Sequence, residues 1–242
     1  MRKVLLLMTA LTVLAGGQDA ANPLLEPWTA PFGVPPFSAI TVADYEPAFT
    51  AAIAEHEAEI AAITANPEPP TFANTIEALD AAGRALARVS GVFYSLNGTM
   101  TDAEMQKVAK TMAPVLSRHR DAVALDPELF RRVDAVYQAR ATLDLDGEQA
   151  MLLEETWKGF VRGGANLEPA QKEQFKALNE ELALLSVQFG ENVLNETNRW
   201  ELVIADEADL AGLPRGVVEA AAEAAAQRGH EGKWVITLHK PS

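Results

Sequence analysis

The strongest constraint on the fold of this chain is an apolar stripe in a segment of about thirty residues that starts at Pro169. The stripe advances in steps of three and four residues, which matches the turn of an α-helix. Its members are Phe175, Leu178, Leu182, Leu185 and Phe189. Because such a stripe is unfavourable in water, we expect it to bury against neighbouring helices. The sequence therefore predicts a helical domain.

Signals that start and stop helices recur through the preceding residues. The first helix is predicted over about 43–65 and the second over about 71–97, where Asn97-Gly98 ends it. Thr101 and Glu104 have the spacing of a capping box for a third helix that reaches about Val123. Asp126-Pro127 starts a fourth helix, and Asp146 caps a fifth that stops at Gly163-Gly164.

The two ends of this helical region have a different character. Five prolines in residues 22–41 exclude a helix, and the apolar residues among them predict an extended arm on the helices that follow. Residues 200–204 and 233–238 are rich in β-branched and aromatic residues and predict short strands. An alanine-rich helix between them begins at Pro214. We therefore expect an arm at 21–41, a helical lobe at 42–199 and a small α/β segment at 200–242.

Residues 1–20 have the layout of a secretory signal peptide. Arg2 and Lys3 form a positive head, an apolar run extends from Val4 to Ala15, and small residues follow. The apolar run is too short for a stable membrane span. We expect export, to the periplasm, and no membrane attachment after cleavage. A buried N-terminal helix or an uncleaved anchor is the alternative.

Charge and cysteine usage exclude several classes of function. The chain has 34 acidic and 20 basic residues and a net charge of −14, so we expect no nucleic-acid partner. It has no cysteine, which excludes disulfides, thiolate metal sites and cysteine nucleophiles. No G-x-S-x-G turn and no phosphate-binding glycine loop is present.

The segment HEAEI, from His56 to Ile60, contains the first half of the zinc-peptidase motif H-E-x-x-H. Isoleucine cannot bind zinc, and His56 lies on a predicted apolar face, so we interpret it as a core histidine with one hydrogen bond. His119 stands between two arginines, which disfavours a metal. His230 and His239 are weak as a metal pair. We therefore assign no catalytic residue, no cofactor-binding residue and no metal ligand in this chain.

Five stretches, taken in order, resemble one family. They are NPLLEPWTAPFGVPPFSAITVADYEPAF (22–49), NPEPPTFANTIEALDAAG (66–83), MAPVLSRHRDAVALDPELFRRVDAVY (112–137), FVRGGANLEPAQKEQFKALNEELALLSVQFGENVL (160–194), and DEADLAGLP with GKWVITLHKPS (206–214, 232–242). Together they are similar to the N-terminal part of M3-class, thimet-oligopeptidase-like zinc metallopeptidases. Within that class the similarity is strongest to bacterial peptidyl-dipeptidases.

The resemblance implies a mainly α fold, a multi-helix antiparallel lobe with a short β element near the C-terminus. It also implies that the full-length family binds zinc through an H-E-x-x-H helix and a downstream Glu, and releases C-terminal dipeptides from short peptides. No position here matches either zinc-binding element. We therefore expect a chain truncated before its catalytic domain and inactive alone. The alternative is an exported, non-catalytic helical module that binds peptide or protein.

Overall fold

The computed structural model describes residues 21–239 and is mainly helical, as the sequence predicted. The predicted signal peptide lies outside the described residues. No helix within 21–239 combines the length and apolarity that crossing a membrane requires. The helices are α1 (Tyr45–Thr64), α2 (Ala78–Ala81), α3 (Arg84–Thr99), α4 (Ala103–Ala124), α5 (Pro127–Gln138), α6 (Gly147–Arg162), α7 (Pro169–Arg199) and α8 (Arg215–Gln227). The strands are β1 (Glu201–Ile204) and β2 (Trp234–Thr237).

Two of the predicted helix starts are confirmed by their caps. The carboxylate of Asp126 accepts hydrogen bonds from the first backbone amides of α5. Asp146 accepts from the amide of Gln149, whose side chain accepts from the amide of Asp146 in return. The capping box predicted at Thr101 is wrong. Asp102 caps α4 through the amide of Met105, and the Thr101 hydroxyl donates to Asn97 instead.

The single helix predicted over about 71–97 is also wrong, because the chain breaks at Gly83. A π-helical segment, Phe72–Glu77, leads into the single turn of α2, and α3 starts only at Arg84. Gly83 has a φ of +73°, a left-handed conformation that glycine adopts without steric cost. The sequence signal was therefore present as a glycine inside the apolar pattern, but its neighbours favour helix on both sides.

The helical lobe contains two hydrophobic clusters that share α1. The first cluster combines Leu24 of the arm with residues of α1, α3 and α4, among them Phe49, Phe93 and Met112. The second combines the end of α1 with the π-helical segment, α5 and α6, and includes Ile63. Ala52 belongs to the first cluster and Ile60 to the second, so His56 lies on α1 between them. This boundary positions the candidate site.

The arm is anchored to the first cluster. Leu24 is completely buried, and the backbone oxygen of Leu25 accepts a hydrogen bond from the Arg88 guanidinium on α3. The same guanidinium lies over the Trp28 ring at 5.4 Å. Backbone hydrogen bonds within the arm form only short turns, among them a 3-10 turn at Pro31–Gly33, so the contacts with α3 hold the arm on the helices.

Helix α7 packs along α4, but the expected burial of its apolar stripe is wrong. Leu178, Leu182 and Phe189 are 64%, 61% and 71% exposed, and no residue of α7 is buried within the described structure. Contacts with α4 come from the opposite side, where Val187 meets the first cluster and the Lys110 ammonium lies 2.8 Å from Glu191. The stripe is helical as predicted and unpartnered within residues 21–239.

The segment after α7 is a two-stranded antiparallel sheet with α8 packed on it. Glu201 pairs with Thr237 and Ile204 with Trp234. Val235 is buried at the contact between β2 and α8. The short β element predicted from residue composition is therefore confirmed.

Candidate functional site

The candidate site is built on two histidines that are far apart in the sequence. His56 of α1 and His119 of α4 approach until Nδ1 of His56 and Nε2 of His119 are 2.9 Å apart. One nitrogen donates and the other accepts, so the two rings share a single proton. The Nδ1 atom of His119 is buried without a hydrogen-bond partner, and its nearest carboxylate is Glu57, at 3.7 Å. This carboxylate favours the tautomer in which His56 donates and His119 keeps a proton on Nδ1.

The break at Gly83 makes room for this pair. A methyl group added at Gly83 would lie 3.2 Å from three atoms of the His56 ring. The amide of Gly83 donates to the Glu59 carboxylate at 2.7 Å, which fixes the break against α1. Gly83 is therefore required both by its backbone conformation and by the close approach of the imidazole.

The arginines beside His119 in the sequence do not surround it in space. Successive residues on a helix are rotated by about 100°. Arg118 is exposed and pairs with Glu180 of α7, whereas His119 faces α1 and is 7% exposed. The cationic environment that the sequence suggested for His119 is therefore wrong, although Arg120 lies at the rim of the same site.

The histidine pair forms part of the wall of a cavity of about 490 Å³ between α1, α3, α4 and α6. Such a volume is in the range of small-molecule sites, roughly 300–1,000 Å³. The apolar lining consists of Leu79, Leu86, Leu116, Val123, Ala124 and Phe160. The polar lining consists of the two histidines with Ser90, Tyr94, Arg120, Glu155 and Thr156. The site is thus an apolar pocket with a few polar groups.

Burial sets the charge of His56. Desolvation lowers the pKa of His56, and the neighbouring His119 lowers it further, against the opposite effects of Glu59 and Glu57. His56 is therefore uncharged at neutral pH. At the rim, burial raises the pKa of the Tyr94 phenol, and the positive charge of Arg120 acts in the opposite direction.

The geometry of the pair does not fit a zinc ion. Zinc needs its nitrogen ligands at about 2.0–2.1 Å, with their lone pairs directed at the metal. Here the two nitrogens point at each other across 2.9 Å and hold a proton. Ile60, at the place of the second motif histidine, is buried. Within residues 21–239 no group of three or more His, Cys, Asp or Glu side chains is arranged to hold a metal.

The other two histidines lie in the C-terminal α/β segment. His230 is hydrogen bonded to Glu201 of β1 at 2.7 Å, and this bond lowers the pKa of the Glu201 carboxyl, with a smaller contribution from Arg228. His239 is exposed. They do not form a pair, and neither lies at the cavity described above.

Sequence reasoning placed His56 on the right helix face and predicted one hydrogen bond, which the structure confirms. It missed His119 as the partner. No local pattern connects residues 63 positions apart, because the contact exists only when α1 and α4 pack together. The available signal was the presence of a histidine on the inward face of each of two amphipathic helices.

Comparisons with known proteins identify relatives over nearly the whole chain. Dipeptidyl carboxypeptidase of Escherichia coli is 40% identical over 217 residues, which are 90% of this chain and 32% of the relative. Dipeptidyl carboxypeptidase of Salmonella typhimurium is 36% identical, and oligopeptidase A of Escherichia coli is 27% identical. The chain spans about a third of the length of these relatives. No protein-family model matches it.

The helical fold and these similarities define a class, that of peptidase-related helical proteins. Over 90% of its length the chain is homologous to part of the dipeptidyl carboxypeptidases, which with the oligopeptidases A are peptidases of the M3 family. Its identity to the two dipeptidyl carboxypeptidases, at 40% and 36%, exceeds the 28% and 27% found with two oligopeptidases A.

Proposed function

We propose that this chain is the N-terminal helical part of an exported zinc peptidyl-dipeptidase and that it does not hydrolyse peptides by itself. The similarity to two dipeptidyl carboxypeptidases over 90% of the chain carries the proposal. Hydrolysis by such an enzyme uses a zinc-bound water, whose pKa the metal lowers, and a carboxylate that takes its proton. This chain matches about a third of the relatives' length. We assign the zinc site and this carboxylate to the remaining part of the enzyme. The substrates would be short peptides.

The exposed stripe of α7 supports this assignment. Its side chains from Leu178 to Phe189 form an exposed apolar surface on the side of α7 that does not face α4. A contiguous exposed apolar surface of this kind marks a contact with another polypeptide. In the proposed enzyme the catalytic domain covers this stripe, and the helical lobe limits access to the active site.

A chimera tests the proposal directly. The matching region of Escherichia coli dipeptidyl carboxypeptidase is replaced by this chain, and release of C-terminal dipeptides from a blocked hexapeptide is followed by mass spectrometry. We expect the chimera to release dipeptides, a chelator to stop it, and the 242-residue chain alone to be inactive. Chelator-sensitive hydrolysis by the chain alone would contradict the proposal. A folded chimera that binds the peptide without cleaving it would favour a non-catalytic binding module.

Metal analysis of the isolated chain gives a second test. We expect no stoichiometric zinc after purification in zinc-containing buffer followed by dialysis. The reason is that His56 and His119 point their ring nitrogens at each other across 2.9 Å and share a proton instead of directing lone pairs at a metal. The active chimera is the positive control and should hold one ion. One tightly held ion per isolated chain would overturn the assignment of zinc to other polypeptide.

Export is a separate part of the proposal and rests on the charged head and apolar run of residues 1–15. Expression of the chain in a Gram-negative host should give a periplasmic product that has lost these residues, as determined by intact mass. Recovery of the unprocessed chain from the cytoplasm would argue against export.

A further inference from the structure

We infer that the cavity beside His56 and His119 is a binding site for a small aliphatic monocarboxylate, with Arg120 and Tyr94 holding the carboxylate at the open side. The inference concerns a site separate from peptide hydrolysis and does not depend on the proposed function. It follows from the lining of the cavity, its charge balance and the position of its free hydrogen-bond donors.

The inner wall favours an aliphatic body. Leucine and valine side chains from α2, α3 and α4 line the cavity, together with Phe160 of α6. Removing an alkyl chain from water contributes about 0.8 kcal/mol for each buried methylene group. His56 adds no charge to this wall at neutral pH, because burial lowers its pKa, and its ring is hydrogen bonded to that of His119.

The charge balance favours an anionic head. Glu155 is the acidic residue that lines the cavity, and it shares the Lys158 ammonium with Glu154, at 3.1 Å and 2.7 Å. The Arg162 guanidinium also lies 3.9 Å from Glu155, so the two carboxylates face two cations. Arg120 has no ion pair or hydrogen bond among the described residues, whereas Arg118 on the next face of α4 pairs with Glu180. Among the charged side chains that line the cavity, Arg120 is therefore left without a counter-charge.

The free donors lie where a head group would meet solvent. Tyr94 and Arg120 are exposed residues that line the cavity, so they stand at its open side. The Tyr94 hydroxyl also lacks a hydrogen-bond partner within residues 21–239. A guanidinium and a phenol together offer the donors that a planar carboxylate accepts. Fatty acids and the C-terminus of an apolar peptide share this chemistry.

Calorimetric titration of the full chain with octanoate tests the inference. We expect saturable 1:1 binding, with octan-1-ol binding about ten-fold more weakly, the equivalent of one charge-assisted hydrogen bond. Arg120→Gln should weaken octanoate binding by about the same factor and leave octan-1-ol unchanged. Arg118→Gln is the matched control, because its side chain does not line the cavity, and it should bind octanoate normally. N-acetyl-leucine, which resembles the C-terminus of an apolar peptide, is the second probe. Tighter binding of octanoate would indicate a fatty-acid site, and tighter binding of N-acetyl-leucine would indicate a site for peptide termini.

A cavity-filling variant separates specific binding from surface adsorption. A Cβ atom at Gly159 meets no other atom within 4 Å, and this residue of α6 lines the cavity. Gly159→Leu should therefore fold normally and lose octanoate binding more than ten-fold, by the exclusion of its alkyl chain. Gly91→Leu on α3, which has equal space but does not line the cavity, should bind normally. Undetectable binding to the wild type, or equal binding by both arginine variants or both glycine variants, would overturn the inference.

Discussion

At the scale of single residues, Arg132 of α5 is the largest fully buried side chain among residues 21–239. It is 1% exposed, and its guanidinium donates to the backbone oxygens of Asn66 and Glu68 and to the side chain of Asn74. These acceptors lie in the loop after α1 and in the π-helical segment. One buried cation therefore ties three parts of the second cluster together, without a carboxylate partner among the described residues.

Replacement of Arg132 should be costly. Arg132→Met keeps much of the side-chain volume but leaves two loop carbonyls without their donor, and we expect a loss of about 2–4 kcal/mol in the free energy of unfolding. Urea denaturation followed by circular dichroism measures it. The neighbouring Arg131, which is exposed and pairs with Glu128, provides the control, and Arg131→Met should leave the urea midpoint unchanged. Equal midpoints for both variants would show that the Arg132 hydrogen bonds do not stabilise the fold.

His56 should make stability depend on pH in a defined window. Its folded-state pKa lies below the ordinary value of 6.5, so the unfolded chain binds the proton more readily. The stability that neutral His56 contributes is thus present above pH 6.5 and is lost as the pH falls through the lowered pKa. The carboxyls of Glu128, Glu154 and Glu201 also have a lowered pKa. Their contribution to stability is lost at more acidic pH, as the pH falls toward and below their ordinary pKa of 4.5.

Urea denaturation between pH 7 and pH 5 should therefore show decreasing stability, and His56→Leu should flatten this dependence. The same variant leaves Nε2 of His119 without its partner, which costs about 1–3 kcal/mol at neutral pH. An unchanged pH slope in His56→Leu would assign the dependence to other groups.

At the scale of elements, the break between α2 and α3 decides how α1, α3 and α4 meet. Gly83 combines a left-handed backbone with a side that the His56 ring occupies. The amide of Gly83 is held by Glu59. Any side chain at position 83 would press on the His56 ring, so the absence of a side chain there allows the imidazole to reach His119.

Gly83→Ala should therefore lower stability and disturb the histidine pair. The left-handed conformation costs an alanine about 1–2 kcal/mol, and the added methyl group must also displace the imidazole from 3.2 Å. We expect a lower melting temperature and shifted His56 and His119 ring signals in NMR spectra. Gly91→Ala, at a helical glycine with open space, is the control and should be neutral or stabilising. Unchanged ring signals in Gly83→Ala would show that the imidazole does not need this approach.

At the scale of the whole molecule, the two clusters of the helical lobe are internal, whereas the apolar side of α7 faces outward. Leu178, Leu182, Leu185, Phe189 and Val193 are all about half exposed or more. Helix α7 nevertheless stays in place, because its other side packs on α4 and Asn179 donates to the buried Asp121. The stripe is thus available for contact without being needed for the fold.

Polar substitution on this stripe should separate folding from activity. Phe189→Ser removes a side chain that is 71% exposed, so we expect an unchanged melting temperature of the isolated chain. In the chimera with the rest of the Escherichia coli enzyme, the same substitution should reduce dipeptide release several-fold, because buried aromatic contacts dominate such interfaces. Glu181→Ser, a polar position on the same helix, should leave the activity intact. A fully active Phe189→Ser chimera would show that the catalytic domain does not cover this surface.

The sequence alone determined the helices, most of their ends and the family of the protein. These features depend on signals within one or two turns, such as Asp126 before Pro127 or the three- and four-residue spacing on α7. The capping box predicted at Thr101 was wrong because Asp102, one residue later, offers a competing carboxylate. The helix break at Gly83 was missed because the residues on both sides of it favour helix, and the His56 ring that packs against Gly83 lies on another helix.

Only the tertiary structure decided which polar groups meet and which apolar groups stay exposed. The His56–His119 hydrogen bond exists because α1 and α4 bring together side chains 63 residues apart. Both sides of α7 carry apolar residues. The side with Val187 packs on α4, so the stripe on the other side faces outward. Local sequence specifies the chemistry of each helix face, whereas packing between helices decides what each face contacts, because burial is a property of the assembled surfaces.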